Sequence, residues 1–406
     1  MRKVIAISVV LALIAGAAFA QTSISGTVDT RIKLASGDST GGDVTIGGGG
    51  VADAYVQLSG QDPDGKFGGT ARILANEAET GFHRAFIWWQ PIPQVRIFLG
   101  QDLDGKFSTG DALTDWAFHR GGQGYINRHD WDFWRTVFPG NWASFGLAFS
   151  FYPVQGLAIN LVVPTGEPGA NYSLHAKGPD SARALRYQDV IGSLRVEAEY
   201  ALPDIGKVLF SYIGPGADFS DKPTHYGHIG GSFLLTAVEN FQAQIGVSTY
   251  IENDEKVHNA ANEYYPFMIG LGASFAAGDW GVKFRAALSL FSYIGAQTTT
   301  NSWQYAVGNA LQINRFTAGT LATFNIMPWY NFGVLAAYFD VGADIAKPKP
   351  TDAAVQTLFF FNPFIVKGIG PGTIRAGLRV ESDSRPGNPD GALTTFSVPI
   401  QFAFSF

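Results

Sequence analysis

The chain contains no cysteine, so no disulfide stabilises its fold and it is not a small disulfide-bonded secreted domain. Charged residues make up only 15% of its 406 residues, and the formal net charge of −6 is acidic. An acidic balance argues against nucleic acid as a partner. Beyond residue 20, no apolar run is long enough to cross a bilayer as a helix.

The first twenty residues have the layout of a secretory signal peptide. Arg2 and Lys3 give a positive start, an apolar run over 4–19 follows, and Ala18-Phe19-Ala20 is a small-x-small pattern that a signal peptidase accepts. An uncleaved anchor helix is the alternative, although the run is short for a transmembrane span. We therefore expect residues 1–20 to be removed on export. The remaining chain, 21–406, would then carry 26 basic against 34 acidic residues and form one domain.

Glycine and aromatic residues are abundant, with 49 Gly and 32 Phe. They lie in segments where apolar and polar side chains alternate, which is the pattern of β-strands with two unlike faces. In the last segment the apolar face holds Phe396, Val398, Ile400, Phe402, Phe404 and Phe406. Alternation alone also fits a β-sandwich or a propeller. Together with the export signal and the composition, it favours an all-β fold, a transmembrane antiparallel β-barrel.

The connections between these segments alternate in length, as in barrels with short periplasmic turns and long extracellular loops. Pro, Gly and Asp mark the short breaks because they supply the dihedral angles that a tight reversal requires. This spacing predicts about 18 strands, with about 16 as the alternative, and both chain ends at the short-turn rim. The predicted short breaks are Asp62-Pro63-Asp64-Gly65, Pro91-Ile92-Pro93, Tyr152-Pro153, Pro203-Asp204, Glu239-Asn240, Gly278-Asp279, Met327-Pro328 and Gly370-Pro371-Gly372.

Charged residues fall on the polar faces of several predicted strands. A charge facing lipid is costly, so we expect these side chains to line a water-filled interior. Pairing with neighbouring charges on the wall is the simpler alternative for any one of them. The basic members, which would form a positive wall, are Arg31, Lys33, Arg72, Arg96, Arg195, Lys283, Arg285, Arg375 and Arg379.

The segment 102–141 is the longest connection and is rich in both carboxylates and aromatic rings. Loops of this length are usually functional or disordered, and so many aromatics argue against disorder. Folded into the barrel, it would narrow the pore and face the basic wall; an external cap is the alternative. Its acidic candidates are Asp102, Asp104, Asp111, Asp115, Asp130 and Asp132, and its aromatic candidates are Trp116, Phe118, Trp131, Phe133 and Trp134.

In these features taken together, the sequence resembles the porins of diderm outer membranes, and its composition is similar to that of some spirochaetal outer-membrane proteins. The resemblance implies a location in the outer-membrane bilayer and passive diffusion of small hydrophilic solutes. Sugar selectivity is a sub-hypothesis, because aromatic rings beside carboxylates and arginines suit hydroxyl-rich solutes that stack on them. It also implies a homotrimer and assembly by the barrel-assembly machinery, which would recognise Phe402, Phe404 and Phe406. A surface ligand-binding barrel or adhesin with an occluded pore is the alternative function.

No enzyme, cofactor or metal motif is evident. Gly60-Gln61-Asp62-Pro63-Asp64-Gly65-Lys66-Phe67 recurs nearly intact over 100–107, and its Asp-x-Asp-Gly core looks like part of a calcium loop. It lacks the third oxygen ligand and the distal Glu of an EF-hand, so turn formation explains it with fewer assumptions. The two copies are predicted at opposite rims, which leaves either a coincidence or a misplaced boundary between residues 60 and 102.

Overall fold

The computed structural model describes residues 21–38, 44–75, 80–101, 145–164, 194–213, 227–251, 267–290, 319–348, 355–383 and 393–406. Within these ranges the regular structure is entirely β-strand. No helix among these residues is long and apolar enough to cross a membrane.

The strands form one antiparallel sheet that closes on itself. β1 pairs with β2 on one side and with β19 on the other. The strand segments are β1 (Gln21–Asp38), β2 (Thr45–Gln61), β3 (Phe67–Ala75), β4 (Thr80–Ile92), β5 (Val95–Gln101), β6 (Phe145–Val154), β7 (Leu157–Pro164), β8 (Arg195–Leu202), β9 (Gly206–Ile213), β10 (Gly227–Val238), β11 (Phe241–Ile251), β12 (Phe267–Ala277), β13 (Trp280–Leu290), β14 (Gly319–Asn331), β15 (Ala336–Pro348), β16 (Gln356–Ile369), β17 (Gly372–Gly377), β18 (Arg379–Asp383) and β19 (Leu393–Ser405).

β17 and β18 are two halves of one barrel strand. Both pair with β16 on one side and β19 on the other, and they are interrupted only at Leu378. Pro363 lies on the neighbouring strand at this level, where its missing N–H breaks the hydrogen-bond ladder. Its carbonyl still accepts the Leu378 N–H at 3.0 Å. The barrel therefore has 18 strands, which confirms the predicted count and excludes 16.

The seam joins the first and last strands at the short-turn rim. The Gly26 N–H donates to the Phe406 carbonyl at 2.9 Å, and the Phe406 N–H donates to the Gly26 carbonyl at 3.0 Å. The Phe406 ring lies over Gly26, where an added Cβ would come within 2.5 Å of the ring. Gly26 is therefore required by a close approach between two strands.

The outward face is apolar, as the alternation predicted. Phe402, Phe404 and Phe406 are all exposed on it, whereas Gln401, which precedes them, is buried. Exposed aromatic side chains also cluster beside the short turns, which is the interfacial girdle expected of a membrane barrel. Its members include Phe67, Trp89, Tyr200, Trp280, Tyr330 and Phe332.

Two of the predicted turns are wrong because proline was interpreted as a break. β6 continues through Pro153 to Val154, and β14 continues through Pro328 to Asn331. Pro328 is exposed on the outward face, at a level where the β14–β15 ladder lacks pairs. Strands tolerate proline at such places. The corresponding reversals lie at 155–156 and 332–335.

The turn at Asp62 shows the chemistry predicted for the repeated motif. The Asp62 carboxylate accepts the N–H groups of Lys66 and Phe67 at 2.6 and 2.7 Å, and Gly65 has φ 64°. Gly100 and Gln101 of the second copy lie at the opposite rim, paired with Gly146 and Phe145. The remainder of that copy, 102–107, lies outside the described residues. The placement of the two copies at opposite rims is therefore not a boundary error.

Candidate functional site: the lumen wall

The inward face of the barrel carries a belt of polar side chains that are 7% exposed or less. Burial of so many polar groups favours hydrogen bonds among them, since an unpaired buried group is costly. This polar belt consists of Ser150, Asn160, Arg195, Glu197, Ser211, Ser232, Gln244, Arg285, Asn325, Asp340, Asn362 and Gln401.

Neighbouring members of the polar belt bond across strands. Ser150 Oγ donates to Asn160 Oδ1 at 3.0 Å, and Asn160 Nδ2 donates to Glu197 at 3.5 Å. Later in the chain, on β14 and β15, Asn325 Nδ2 donates to the Asp340 carboxylate and to the Val341 carbonyl. These bonds join β6 to β7, β7 to β8 and β14 to β15 on the lumen side of the wall, in addition to the backbone ladder.

Several lumen charges are matched by a neighbour. Lys207 Nζ lies 2.9 Å from Glu199, and Arg379 is paired with Glu381. These pairs contribute little net charge to the field that a passing ion meets.

A longer polar chain crosses the seam. Arg375 Nη1 donates to Gln401 Oε1 at 3.1 Å. Gln401 Nε2 in turn donates to both oxygens of Asp29, at 2.9 and 2.7 Å. The glutamine therefore links a cation on β17 to a carboxylate on β1, across the strand that closes the barrel.

Arg72 and Arg96 are held in a different way. Each donates from Nε and Nη2 to the Oε1 atom of a single glutamine, Gln57 for Arg72 and Gln90 for Arg96. Each guanidinium also lies 4.4 Å over the centroid of an aromatic ring, that of Tyr55 or Trp88. An amide and an aromatic ring orient a guanidinium without cancelling its charge.

Three aromatic side chains form a row on the lumen side of β14, β15 and β16. Tyr338 stacks on Phe364 with ring centroids 4.8 Å apart, and Trp329 lies 6.3 Å from Tyr338. Phe364 is buried against Met327, and Trp329 and Tyr338 are half-buried. We refer to Trp329, Tyr338 and Phe364 as the aromatic row.

The structure places the predicted basic residues as follows. Arg72 and Arg96 have glutamine partners, Arg375 and Arg379 belong to polar chains or pairs, and Arg195 and Arg285 lie in the polar belt. Lys33 and Lys283 are half-buried on the inward face. Arg31 lies in β1 with its backbone opposite Gln401. The acidic and aromatic candidates of segment 102–141 all lie outside the described residues.

The sequence reasoning missed the neutral members of this wall. Gln57 and Gln90 orient two of the predicted arginines, and Trp88, Trp329 and Tyr338 supply lumen rings. Their signal was present: each lies at a position of the same alternation that placed the charged residues inside. Alternation places them inside but does not distinguish them from other uncharged residues of the wall, because they carry no charge.

No protein-family model matches the chain, and the curated proteins contain no match. Solved structures do match along almost the whole length. The barrel is similar to OpdL of Pseudomonas aeruginosa, with a TM-score of 0.55, 11% identity, and coverage of 95% of this chain and 99% of that chain.

Two further structures from the same organism give the same result. The outer membrane protein OpdK has a TM-score of 0.53 at 11% identity, covering 95% of this chain and 99% of that chain. OprD has a TM-score of 0.52 at 10% identity, covering 95% of this chain and 96% of that chain. The fold is that of outer-membrane channels. At these identities the likeness concerns the fold, and it supports an outer-membrane location.

Proposed function

We propose that the protein is an outer-membrane porin, a passive diffusion channel for small hydrophilic solutes, sugars among them. The observation that carries the proposal is the combination of a closed 18-stranded barrel with an apolar outer face and a polar, charged inner one. A barrel of this size encloses space for water and small solutes. Charged side chains on its inner wall are stable in contact with that water, whereas they would be costly in contact with lipid.

Selectivity would arise from the wall and from segment 102–141. In this proposal its carboxylates, among them Asp130 and Asp132, face Arg72 and Arg96 across the lumen, and its aromatic residues narrow the passage. Pore width and the opposed charges would then filter solutes during diffusion. Deleting 108–138 should raise the single-channel conductance; an unchanged conductance would remove the constriction from the proposal.

Planar-bilayer recording of the purified protein tests the channel directly. Discrete conductance steps in potassium chloride are expected, and an absence of current above background in correctly folded barrels would end the porin proposal. The signal peptide at 1–20, recognition of Phe402, Phe404 and Phe406 by the assembly machinery, and a homotrimer belong to the same proposal. N-terminal sequencing of the exported protein and cross-linking in membranes would test the first and last of these.

A barrel with an occluded lumen that binds ligands through its outer loops is the second candidate. The near-complete burial of the polar belt favours it, since Asn160 and Asp340 have no exposed surface. Folded barrels that carry no current but bind cells or surface ligands would support this candidate over the porin.

A further inference from the structure

Trp329 of the aromatic row and Trp88 both lie on the lumen wall, but they differ in the group that covers the indole ring. Trp88 and Trp329 have matching positions: an added Cβ on Gly68 would lie 2.7 Å from Cε2 and Cζ2 of Trp88, and one on Gly281 would lie 2.6 Å from the same atoms of Trp329. Each indole therefore rests on a glycine of the neighbouring strand. Arg96 lies over the ring of Trp88.

No cation of the described residues lies over the ring of Trp329. Among the described residues its ring contact is Tyr338, tilted by 32° with centroids 6.3 Å apart, so Tyr338 lies beside the indole. With one face on Gly281, the indole directs its other face away from the wall and into the lumen. An uncovered indole face is a large, rigid apolar surface on which the C–H groups of a ring-shaped solute can pack.

Polar groups without partners among the described residues lie on the same inward face of β14, β15 and β16. The Tyr338 hydroxyl makes no hydrogen bond with any described residue. Within the same part of the chain, the amide of Asn362 lacks a partner for both Oδ1 and Nδ2, and Asn325 lacks one for Oδ1. Asn362 is two residues from Phe364 on the inward face of β16, a separation of about 7 Å along the strand.

The amide of Asn362 has hydrogen-bonding capacity that a solute hydroxyl can fill. It is 2% exposed, and a buried amide without hydrogen bonds is unfavourable where it lies. Rotation toward the lumen breaks no hydrogen bond with any described residue and gains one from a solute hydroxyl. The groups offered are a phenol hydroxyl and amide atoms. These groups are uncharged and include both donors and acceptors. The charge that acts on the Tyr338 hydroxyl is that of Arg375, which donates a hydrogen bond to Gln401.

Resting on the proposed channel function, we propose that Trp329, Tyr338 and Asn362 form a subsite on the lumen wall for a neutral, ring-shaped, polyhydroxylated solute, the class of a monosaccharide. The solute packs its C–H face on Trp329 and bonds through its hydroxyls to Tyr338 and Asn362. This subsite is separate from segment 102–141 and lies near the short-turn rim.

Two measurements with glucose test the subsite. The first is tryptophan fluorescence of the detergent-solubilised barrel, which requires no conduction. Glucose should change the emission of the native protein and of W280F, which removes the exposed, lipid-facing indole of the residue before Gly281. W329F should lose the change. Equal responses of the two variants, or no response of the native protein, would overturn the subsite.

The second measurement is the block of single-channel current by glucose. W329A should raise the half-blocking concentration about two- to twelvefold, because an aromatic contact contributes about 0.5–1.5 kcal/mol. Tyr338→Phe and Asn362→Ala should each raise it by a smaller factor. Sorbitol, which has the hydroxyls but no ring, should block weakly in all of them.

Failure of the subsite and failure of the channel give different results. A conducting barrel in which glucose neither blocks nor alters fluorescence refutes the subsite and leaves the porin standing. Block of the current by glucuronate but not by glucose also refutes the subsite, since the wall would then select an anion. A glucose-dependent, Trp329-dependent fluorescence change in a barrel without current keeps the subsite and refutes the porin.

Discussion

Replacing Arg96 by glutamine should shift the ion selectivity of the channel toward cations. Arg96 lies over Trp88 and donates twice to Gln90, and it forms no ion pair with any described residue. Its unit charge is therefore available to ions in the lumen. Glutamine removes that charge and retains polarity and most of the length of the side chain.

The magnitude follows from Coulomb's law. An ion passing about 10 Å from the guanidinium gains or loses about 0.4 kcal/mol in water, and about 0.15 kcal/mol at 0.1 M salt, where the Debye length is about 10 Å. The charge attracts anions and repels cations, so its loss acts on both. The cation-to-anion permeability ratio should rise about 1.7-fold at 0.1 M salt and up to about fourfold at low ionic strength.

Reversal potentials across a salt gradient measure this ratio. The matched control is the double variant Lys207→Gln and Glu199→Gln, which removes an ion pair of zero net charge and should leave the ratio unchanged. At about 1 M salt the shift caused by R96Q should disappear, because the Debye length falls to about 3 Å. A reversal potential that R96Q does not move at low salt would refute the assignment of Arg96 to the ion path.

Three further substitutions test the fold. Gly26→Leu should strongly reduce the yield of heat-modifiable barrel on gels, because its side chain would occupy the place of the Phe406 ring; Gly368→Leu, where an added Cβ meets nothing within 4 Å, should not, and equal yields would contradict the seam. Gln401→Leu should lower the free energy of unfolding by about 2–5 kcal/mol, since it removes hydrogen bonds to Arg375 and Asp29. The control Ser397→Ala on the same strand should change it little. A small loss for Gln401→Leu in urea titrations would argue that the hydrogen-bonded chain Arg375–Gln401–Asp29 does not stabilise the seam. Asp62→Ala should lower the free energy of unfolding by about 1–2 kcal/mol, because two turn hydrogen bonds are lost. Calcium chelation should leave the melting temperature of the native protein unchanged. A melting temperature that falls on chelation would instead indicate a calcium site.

The alternation of apolar and polar residues predicted the strand type and the outward direction of Phe402 and Phe404, and the spacing of the connections predicted the strand count. These features are local, because side-chain direction follows directly from residue parity within a strand. The turn at Asp62 was predictable for the same reason, since an Asx-type turn is built from neighbouring residues. The errors at Pro153 and Pro328 arose where a local rule is weak, since a strand accommodates proline wherever its ladder is interrupted.

The lumen contacts divide according to how the register is fixed. A tight turn sets the pairing of the two strands it joins, so contacts within one hairpin could be predicted from the sequence. Examples are Arg72 with Gln57 across β2–β3 and Arg96 with Gln90 across β4–β5. Other contacts cross the long connections. Trp329 meets Gly281 across β13–β14, and Gln401 meets Asp29, 372 residues away, across the seam. Their registers depend on closure of the whole barrel, because no local sequence signal fixes the stagger between strands joined by a long loop. The proposed subsite around Trp329 combines both kinds of contact, which is why alternation could place each of its side chains inside without showing that they meet.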